Sequence, residues 1–379
     1  MGARSKKQVL VGLSGGVDST VAAWLLKKQG FLVIAAHFNL FDDERLEQKK
    51  YNSSKQKLIK KFCQKNCIDL KVINLRQDFK NKVINYCLKK SYAGLTPNPC
   101  AICNQRVKLT GLNQVAQNFG IEKIATGHYA RKISKQEMVD MMNNQQIKEL
   151  NPNAFSQNYF LAKAKDTSKD QSYFLSMVNE TIIDKLIFPL EGYYKKQVWE
   201  LAKQNDLLPN QKSSASLCFL NQDFKDFIKN KLGTKKGRII NIANHRTIGY
   251  HEGLWSYTIG QRQGLRIDQG GPYYVIKKDN MNNILYVSNI ADEPELYQNK
   301  IQVQVKSLGV LLKKIINKND FNNLTLKTRY AKSEIAIKKI NIVDQVIQIV
   351  TKEKIRAVTK GQVAVIYYRD SVIQSGIII

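Results

Sequence analysis

The first place in this chain where residue types and spacing could do chemistry is Gly12-Leu13-Ser14-Gly15-Gly16-Val17-Asp18-Ser19. Glycines let backbone N–H groups approach phosphate oxygens closely, and a helix starting just afterwards adds positive partial charge. Ser14 and Ser19 add hydroxyl donors. The lysine that a Walker A loop sends to the β- and γ-phosphates is missing. Asp18 beside phosphate calls for a bridging cation, so Mg²⁺ is expected. The cysteines are the second reactive set: Cys63, Cys67, Cys87, Cys100, Cys103 and Cys218. In a reducing compartment they serve as thiols, metal ligands or catalytic groups rather than as a disulfide framework. Cys87 falls in a helical pattern and reads as packing. Cys100 and Cys103 form a Cys-x-x-Cys suited to a redox pair. Together with Cys63 and Cys67 they would make a four-cysteine zinc site, although those two share one helix face, where packing is the ordinary role. With Cys218 they would hold an iron–sulfur cluster having one open iron position.

The elements that must position these groups alternate. "QVLVGLS" is a short apolar strand and "DSTVAAWLLKKQG" a helix stopped by Gly30. "FLVIAAHF", "LKVINL" and "EKIATGH" are further strands, with helical patterns between them, one ending at Gly94 and one at Gly120. Such a βαβα run implies a parallel sheet covered on both faces. Ligands of such sheets bind at the carboxyl ends of the strands, where "LSGG", "HFNL" and "ATGH" all fall. From about residue 132 to 158 the chain turns polar and rich in Met, Asn and Gln, the composition of an exposed insertion without fixed structure. Beyond about residue 211 the helical pattern fades. Glycine-dense short strands follow, and after about residue 290 come the alternating segments of a small antiparallel barrel or sandwich.

Four more segments sharpen the reading: "TPNPCAICNQRVK" with Cys103, "KDQSYFL" at 169–175, Cys218 followed by Phe219, and "YTIGQRQGL" at 257–265. The glycine turn resembles the pyrophosphatase loop of N-type ATP pyrophosphatases, which cleave ATP between the α- and β-phosphates and adenylate a substrate oxygen. Together, and in this order, the segments resemble the tRNA-specific 2-thiouridylase family over nearly the whole chain. The resemblance implies an α/β fold: an N-terminal parallel-sheet ATP pyrophosphatase domain of the adenine nucleotide alpha hydrolase type (1–211), a small central β-rich domain (212–287), and a C-terminal antiparallel β-barrel that helps grip tRNA (288–379).

It further implies that the wobble uridine of certain tRNAs is thiolated at C2. ATP would lie on Gly12 to Ser19, with Phe38 beside the adenine and Gly127 lining the pocket. Asp18 would serve the Mg²⁺ and pyrophosphate site. Asn98, Pro99 and Cys100 would face the target base. Cys103 matches the nucleophile and Cys218 the persulfide carrier, loaded by a cysteine desulfurase or a sulfur-relay protein. His128, Lys169, Asp170, Gln171, Arg329, Tyr330 and Gln362 match tRNA-contacting positions. Transfer of AMP makes the C2 oxygen a good leaving group. The Cys218 persulfide then attacks C2 with Cys103 closing a disulfide, or Cys103 first liberates hydrosulfide. Either route needs the two sulfurs to meet, with Cα atoms within about 7 Å for a disulfide. Many family members carry aspartate where this chain has Cys100.

Composition agrees with a polyanionic partner. Lys and Arg number 60 against 31 Asp and Glu, a net charge of +29. A Lys-, Asn- and Ile-rich composition of AT-rich coding gives the same sign without any such partner. No apolar run approaches the ~18 residues of a membrane span, and the N-terminal run lacks the pattern of a signal peptide, so a cytoplasmic protein with no membrane partner is expected. His37, His245 and His251 show no ligand spacing and read as structural. Gln261 and Arg262 sit in a turn near which RNA backbone would also fit. Lys306, Lys313 and Lys314 read as basic strand positions. Two rival readings remain: an ATP pyrophosphatase that adenylates a small molecule, with no need of Cys103 or Cys218, and a non-catalytic RNA-binding protein on a decayed nucleotide fold.

Overall fold

The computed structural model describes residues 7–40, 46–143, 152–207, 224–265, 267, 271–330 and 333–379. Contacts divide the chain into two compact units. The first comprises residues 1–83, 100–221 and 370–372; the second comprises 84–99, 222–369 and 373–379.

The first unit begins with β1 (Gln8–Gly12), α1 (Val17–Lys28), β2 (Leu32–Asn39), α2 (Leu46–Lys65), β3 (Asp69–Asn74) and α3 (Arg76–Phe79). After α4 (Asn85–Tyr92), which belongs to the second unit, come α5 (Pro99–Cys103), a π-helical turn (Asn104–Lys108) and α6 (Leu109–Asn118). Then follow β4 (Lys123–Thr126), β5 (Arg131–Ser134), α7 (Lys135–Asn143), β6 (Tyr159–Ala162), α8 (Ser172–Leu175), α9 (Glu180–Lys185), β7 (Leu186–Ile187) and α10 (Lys195–Gln204). Five strands form a sheet of order β3-β2-β1-β4-β7, each paired parallel with its neighbours.

The central strand shows why its sequence is apolar from Val9 to Val11. Val9 and Val11 join one core with Ala23, Leu26, Val33 and Ile59. Leu10, between them, joins another with Leu109, Leu112, Ile124 and Leu186. Successive side chains of a strand point to opposite faces, and both faces here are covered, so none of these three buried positions favours a polar residue. Register places Gly12 opposite Ala36 of β2 and Thr126 of β4, so the three strand ends named from the sequence lie side by side.

The segment at 132–158 differs from its expected state. β5 and β6 pair antiparallel, and α7 lies between them with Met138, Val139 and Met142 buried. Ser134 and Glu137 cap α7 reciprocally: Glu137 Oε2 accepts from the Ser134 N–H at 2.6 Å, and the Glu137 N–H donates to Ser134 Oγ at 3.1 Å. Polar composition hid a helix whose three buried apolar residues share one face.

The second unit holds α4, α11 (Phe224–Leu232), β8 (Gly237–Asn241), β9 (Thr247–His251), β10 (Tyr274–Asp279) and β11 (Ile284–Ser288). The four strands form a sheet of order β10-β11-β8-β9 over a core of Ile239, Leu254, Tyr257, Val275, Leu285 and Val287. His251 is buried, accepts the Gly253 N–H at 3.1 Å and bonds the Asn283 carbonyl at 3.2 Å, a structural role. The remainder is β12 (Tyr297–Gln304), α12 (Val310–Asn317), β13 (Leu324–Lys327), β14 (Ile335–Val343), β15 (Val346–Arg356), β16 (Val363–Tyr368) and β17 (Ser371–Ile378). Strands run β12-β15-β14-β13-β16-β17, and β12 pairs with β17 to close a six-stranded antiparallel barrel. Lys313 and Lys314, read as strand positions, lie instead on α12, which buries Leu311, Leu312 and Ile315. Among the described residues no helix is long and apolar enough to cross a membrane.

Candidate active site

The glycine turn leaves β1 and enters α1 within four residues. Gly15 has φ +80°, a conformation that side chains rarely adopt, and a Cβ there would lie 3.0 Å from Ile59. Gly16 is the N-cap of α1 and brings no side-chain cap. Ser19 closes the turn: its Oγ accepts the Ser14 N–H at 3.1 Å, donates to the Gly16 carbonyl at 3.0 Å and lies 3.1 Å from Ser14 Oγ. Ser14 and Gly16 are exposed while Gly15 and Ser19 are buried. The turn is therefore a rigid, shallow cradle with a helix N-terminus at its floor, the arrangement that binds phosphate.

Two neighbours hold it. His37 Nδ1 lies 2.9 Å from the Leu13 carbonyl, tying the end of β2 to the loop. Burial pushes the His37 pKa down, against the opposing pull of that carbonyl, so the ring stays a neutral strut. The Gly127 turn after β4 comes still closer. A Cβ at Gly127 would sit 2.6 Å from the backbone carbon of Asp18 and the amide nitrogen of Ser19. Only glycine lets that turn meet α1. Phe38 packs at the edge of the Leu10 core at the end of β2.

Asp18 projects from the first turn of α1 and meets two partners the sequence reading missed. The Tyr129 hydroxyl donates to Asp18 Oδ1 at 2.9 Å, and the Lys195 ammonium forms a close ion pair with the same oxygen. Burial, then the Asp18 charge, raises the Tyr129 pKa, so the phenol remains a donor. Lys195 opens α10, and its Nζ lies 5.6 Å from the Tyr129 ring centre and 5.7 Å from that of Trp199. A faint signal existed: Lys195 and Lys196 start a helix, where acids rather than bases are favoured. Trp199 and Tyr193 pack against the core of Val17, Val21, Leu25 and Val198.

Around His128 the 169–175 segment folds back. His128 Nδ1 lies 2.9 Å from Thr126 Oγ1, and burial, helped by Lys108, pushes the ring's pKa down to about 3. Gln171 pairs with Tyr129 in both directions: its Oε1 accepts the Tyr129 N–H at 2.9 Å and its own N–H donates to the Tyr129 carbonyl at 2.8 Å. Asp170 is only 4 % exposed and accepts from the Ala164 N–H, the Ser172 N–H and the Ser172 hydroxyl at 3.0, 3.1 and 2.7 Å. Its carboxylate shapes the loop from inside, while Lys169 stands exposed.

Cys100 and Cys103 both lie on α5, one turn apart, Cys100 half-buried and Cys103 2 % exposed. That helix starts at Pro99, whose missing N–H and fixed φ suit a first helical position. Next to Cys103, the Asn104 amide donates to the Phe174 carbonyl at 3.3 Å, tying the thiol segment to the 169–175 segment. Cys63 packs in the Val9 core, where burial raises its thiol pKa to about 11, and Cys67 is exposed with φ +46°. Among the described residues no three metal-ligating side chains gather. Cys218 lies outside the described residues, and with it the meeting of the two sulfurs and the three-cysteine cluster.

The other predicted positions lie in the second unit. Asn98 and Pro99 precede Cys100 in the chain. Arg329 donates to the Ile259 carbonyl at 3.1 Å and to the Thr359 hydroxyl; Gln362 follows that threonine and accepts the Ile378 N–H at 2.9 Å. Tyr330 is 38 % exposed, with Lys327 Nζ 5.7 Å from its ring centre. The Gln261 amide is taken up within its own turn, accepting from the Thr258 N–H at 3.1 Å and donating to the Gln263 carbonyl at 2.8 Å.

A parallel sheet with a glycine cradle at the carboxyl end of its central strand, followed in the chain by a four-stranded sheet and a closed barrel, defines an α/β protein of the nucleotide-binding class. Family models match it in that order: a "tRNA methyl transferase HUP domain" over 7–222, a "tRNA methyl transferase PRC-barrel domain" over 225–289 and an "aminomethyltransferase beta-barrel domain" over 293–378. The tRNA-specific 2-thiouridylase MnmA of Chromobacterium violaceum is 34 % identical over 98 % of this chain and 92 % of that protein. The enzymes of the same name from Buchnera aphidicola and Bacillus pumilus are 35 % and 33 % identical. These alignments cover 99 % and 98 % of this chain, and 97 % and 94 % of those proteins. The chain belongs to the tRNA-specific 2-thiouridylase family.

Proposed function

We propose that the protein is an ATP-dependent tRNA uridine 2-sulfurtransferase. The observation that carries the reading is the cradle at Gly12–Ser19, built at the strand ends together with Gly127, with the 169–175 segment bonded to Tyr129 beside Asp18 and to Asn104 beside Cys103. ATP lies with its phosphates on the loop and its adenine toward Phe38. One carboxylate, two hydroxyls and substrate phosphates form a hard oxygen set that suits Mg²⁺, with Asp18 as the protein ligand. Bound there, the ion would offset phosphate charge.

The uridine C2 oxygen attacks the α-phosphorus, the bond to the bridging oxygen breaks, and pyrophosphate leaves. The adenylated oxygen is then displaced by sulfur carried as a persulfide on Cys218, supplied by a cysteine desulfurase or relay protein, and AMP departs. Cys103 takes the second cysteine's part, as hydrosulfide releaser or disulfide former, and an external thiol restores both. Asn98, Pro99 and Cys100 border the target base. His128, Lys169, Arg329, Tyr330 and Gln362 contact tRNA, with Asp170 and Gln171 shaping the loop that presents Lys169. Residues 1–211 carry the nucleotide chemistry; 212–287 and 288–379 complete the grip on tRNA. Relatives named as thiouridylases over nearly full length favour this reading over a small-molecule ligase.

The test is nucleoside mass spectrometry on tRNA incubated with enzyme, ATP, Mg²⁺, a cysteine desulfurase and cysteine, with AMP and pyrophosphate quantified. 2-Thiouridine is expected with wild type and lost with Cys103→Ser and Cys218→Ser. Normal thiolation by either variant removes the role given to that cysteine. ATP cleavage without thiolation by the wild type brings the small-molecule reading forward.

A further inference from the structure

Lys195 stands where its own helix does not favour it. A cation in a helix's first turn faces the positive end of the macrodipole, which disfavours it. The first turn of α10 carries no acid to offset it. Instead Asp166 reaches the turn from outside, its Oδ2 accepting the Lys195 N–H at 2.9 Å while its Oδ1 accepts the Ser168 hydroxyl at 2.6 Å. The ammonium is held by Asp18, in the first turn of a second helix, and lies near the rings of Tyr129 and Trp199. The lysine side chain is 20 % exposed and the aspartate 35 %, so the pair is only partly screened by water. Two helix N-termini, a glycine cradle and one ammonium thus meet at a single carboxylate. Without the ammonium, Asp18 would present a bare negative charge to an arriving polyphosphate.

We propose that Lys195 is the cation the glycine loop lacks, contributed by α10, and that it changes partners during the reaction. This rests on the nucleotide reading above. Before ATP binds, Lys195 neutralises Asp18. When ATP arrives with Mg²⁺, Asp18 turns to the metal and Lys195 to a phosphate oxygen of the pyrophosphate half. As the α-phosphorus–bridging-oxygen bond breaks, the electron pair leaves with pyrophosphate, and Lys195 balances the charge that builds there. The Tyr129 hydroxyl keeps Asp18 aimed through the exchange.

The test needs no tRNA. Binding of the non-cleavable α,β-methylene analogue of ATP is measured calorimetrically, with and without Mg²⁺. The proteins are wild type, Lys195→Met, Lys195→Arg, Asp18→Asn and the Asp18→Asn/Lys195→Met double variant, each checked for its melting temperature. Lys195→Met is expected to weaken Mg²⁺-free binding by about 10-fold or more, because it leaves Asp18 uncompensated. Asp18→Asn in that background is expected to recover most of the loss, and Lys195→Arg to keep most of the affinity. Unchanged affinity in Lys195→Met overturns the proposal. So does a loss that Asp18→Asn leaves untouched, which would make Lys195 a packing residue between two rings. A wild type that binds no analogue removes the nucleotide reading and this proposal together. A wild type that binds the analogue yet never thiolates tRNA removes only the thiolation.

Discussion

Asp18, Gly127 and His128 show how much of this site depends on single atoms. Gly127 has no room for a methyl group against the backbone of Asp18 and Ser19. Gly127→Ala is therefore expected to push the 127–129 turn away from α1, costing about 1–3 kcal/mol. The same change should weaken the ATP analogue severalfold; unaltered melting and binding would show that the turn yields freely. His128 makes a pH prediction. Its pKa in the fold, about 3, lies below the ordinary histidine value of 6.5, so the unfolded chain takes up a proton that the native ring refuses. The stability it supports is complete above about pH 6.5 and falls as pH drops toward 3. The expected measurement is a ring that does not titrate by NMR between pH 8 and 5, with acid unfolding shifted to lower pH in His128→Gln. A ring that titrates near 6.5 would contradict the burial assigned to it.

Among the elements, α7 is the one the sequence disguised. Its flanks are polar, and the apolar residues it buries are two methionines and a valine at positions 138, 139 and 142. Spacing of three and four places them on one face, yet in so polar a stretch that spacing is a weak signal. Met138→Ala is expected to lower stability by about 2–5 kcal/mol, the range for emptying a buried site. Gln136→Ala on the exposed face should change stability by less than about 0.5 kcal/mol. Chemical denaturation of both separates a folded helix from a loose insertion; equal, negligible effects would mean that α7 buries nothing. α12 was missed for a related reason. Its eight residues carry a β-favouring run of isoleucine, valine and leucine between strands, and periodicity over so short a window does not separate helix from strand.

At the scale of the whole molecule, the net charge of +29 is the quantity to test. Each phosphate neutralised on RNA contributes a slope of about −0.7 to −0.9 in log affinity against log salt. For a grip of about six phosphates or more, raising salt from about 50 to 200 mM is expected to weaken tRNA binding by about a hundredfold or more. Binding of the ATP analogue should change far less over the same range. A flat salt response for tRNA would mean that the charge reflects composition and not recognition.

The sequence alone determined the local chemistry: a glycine turn between strand and helix, a Cys-x-x-Cys segment, and an alternation that must fold as a covered parallel sheet. These were legible because each is written in neighbouring residues, as with Gly15, whose φ of +80° is a property of one residue. Only the tertiary structure decided which groups meet. Tyr129 and Lys195 reach Asp18 from positions 129 and 195 because β4 lies beside β1 and α10 packs its Val198 and Ala202 against α1. No spacing rule connects a lysine to an aspartate across that distance in the chain. The ion pair exists because helix packing brings two amino-terminal ends together, and packing is settled by the whole core at once.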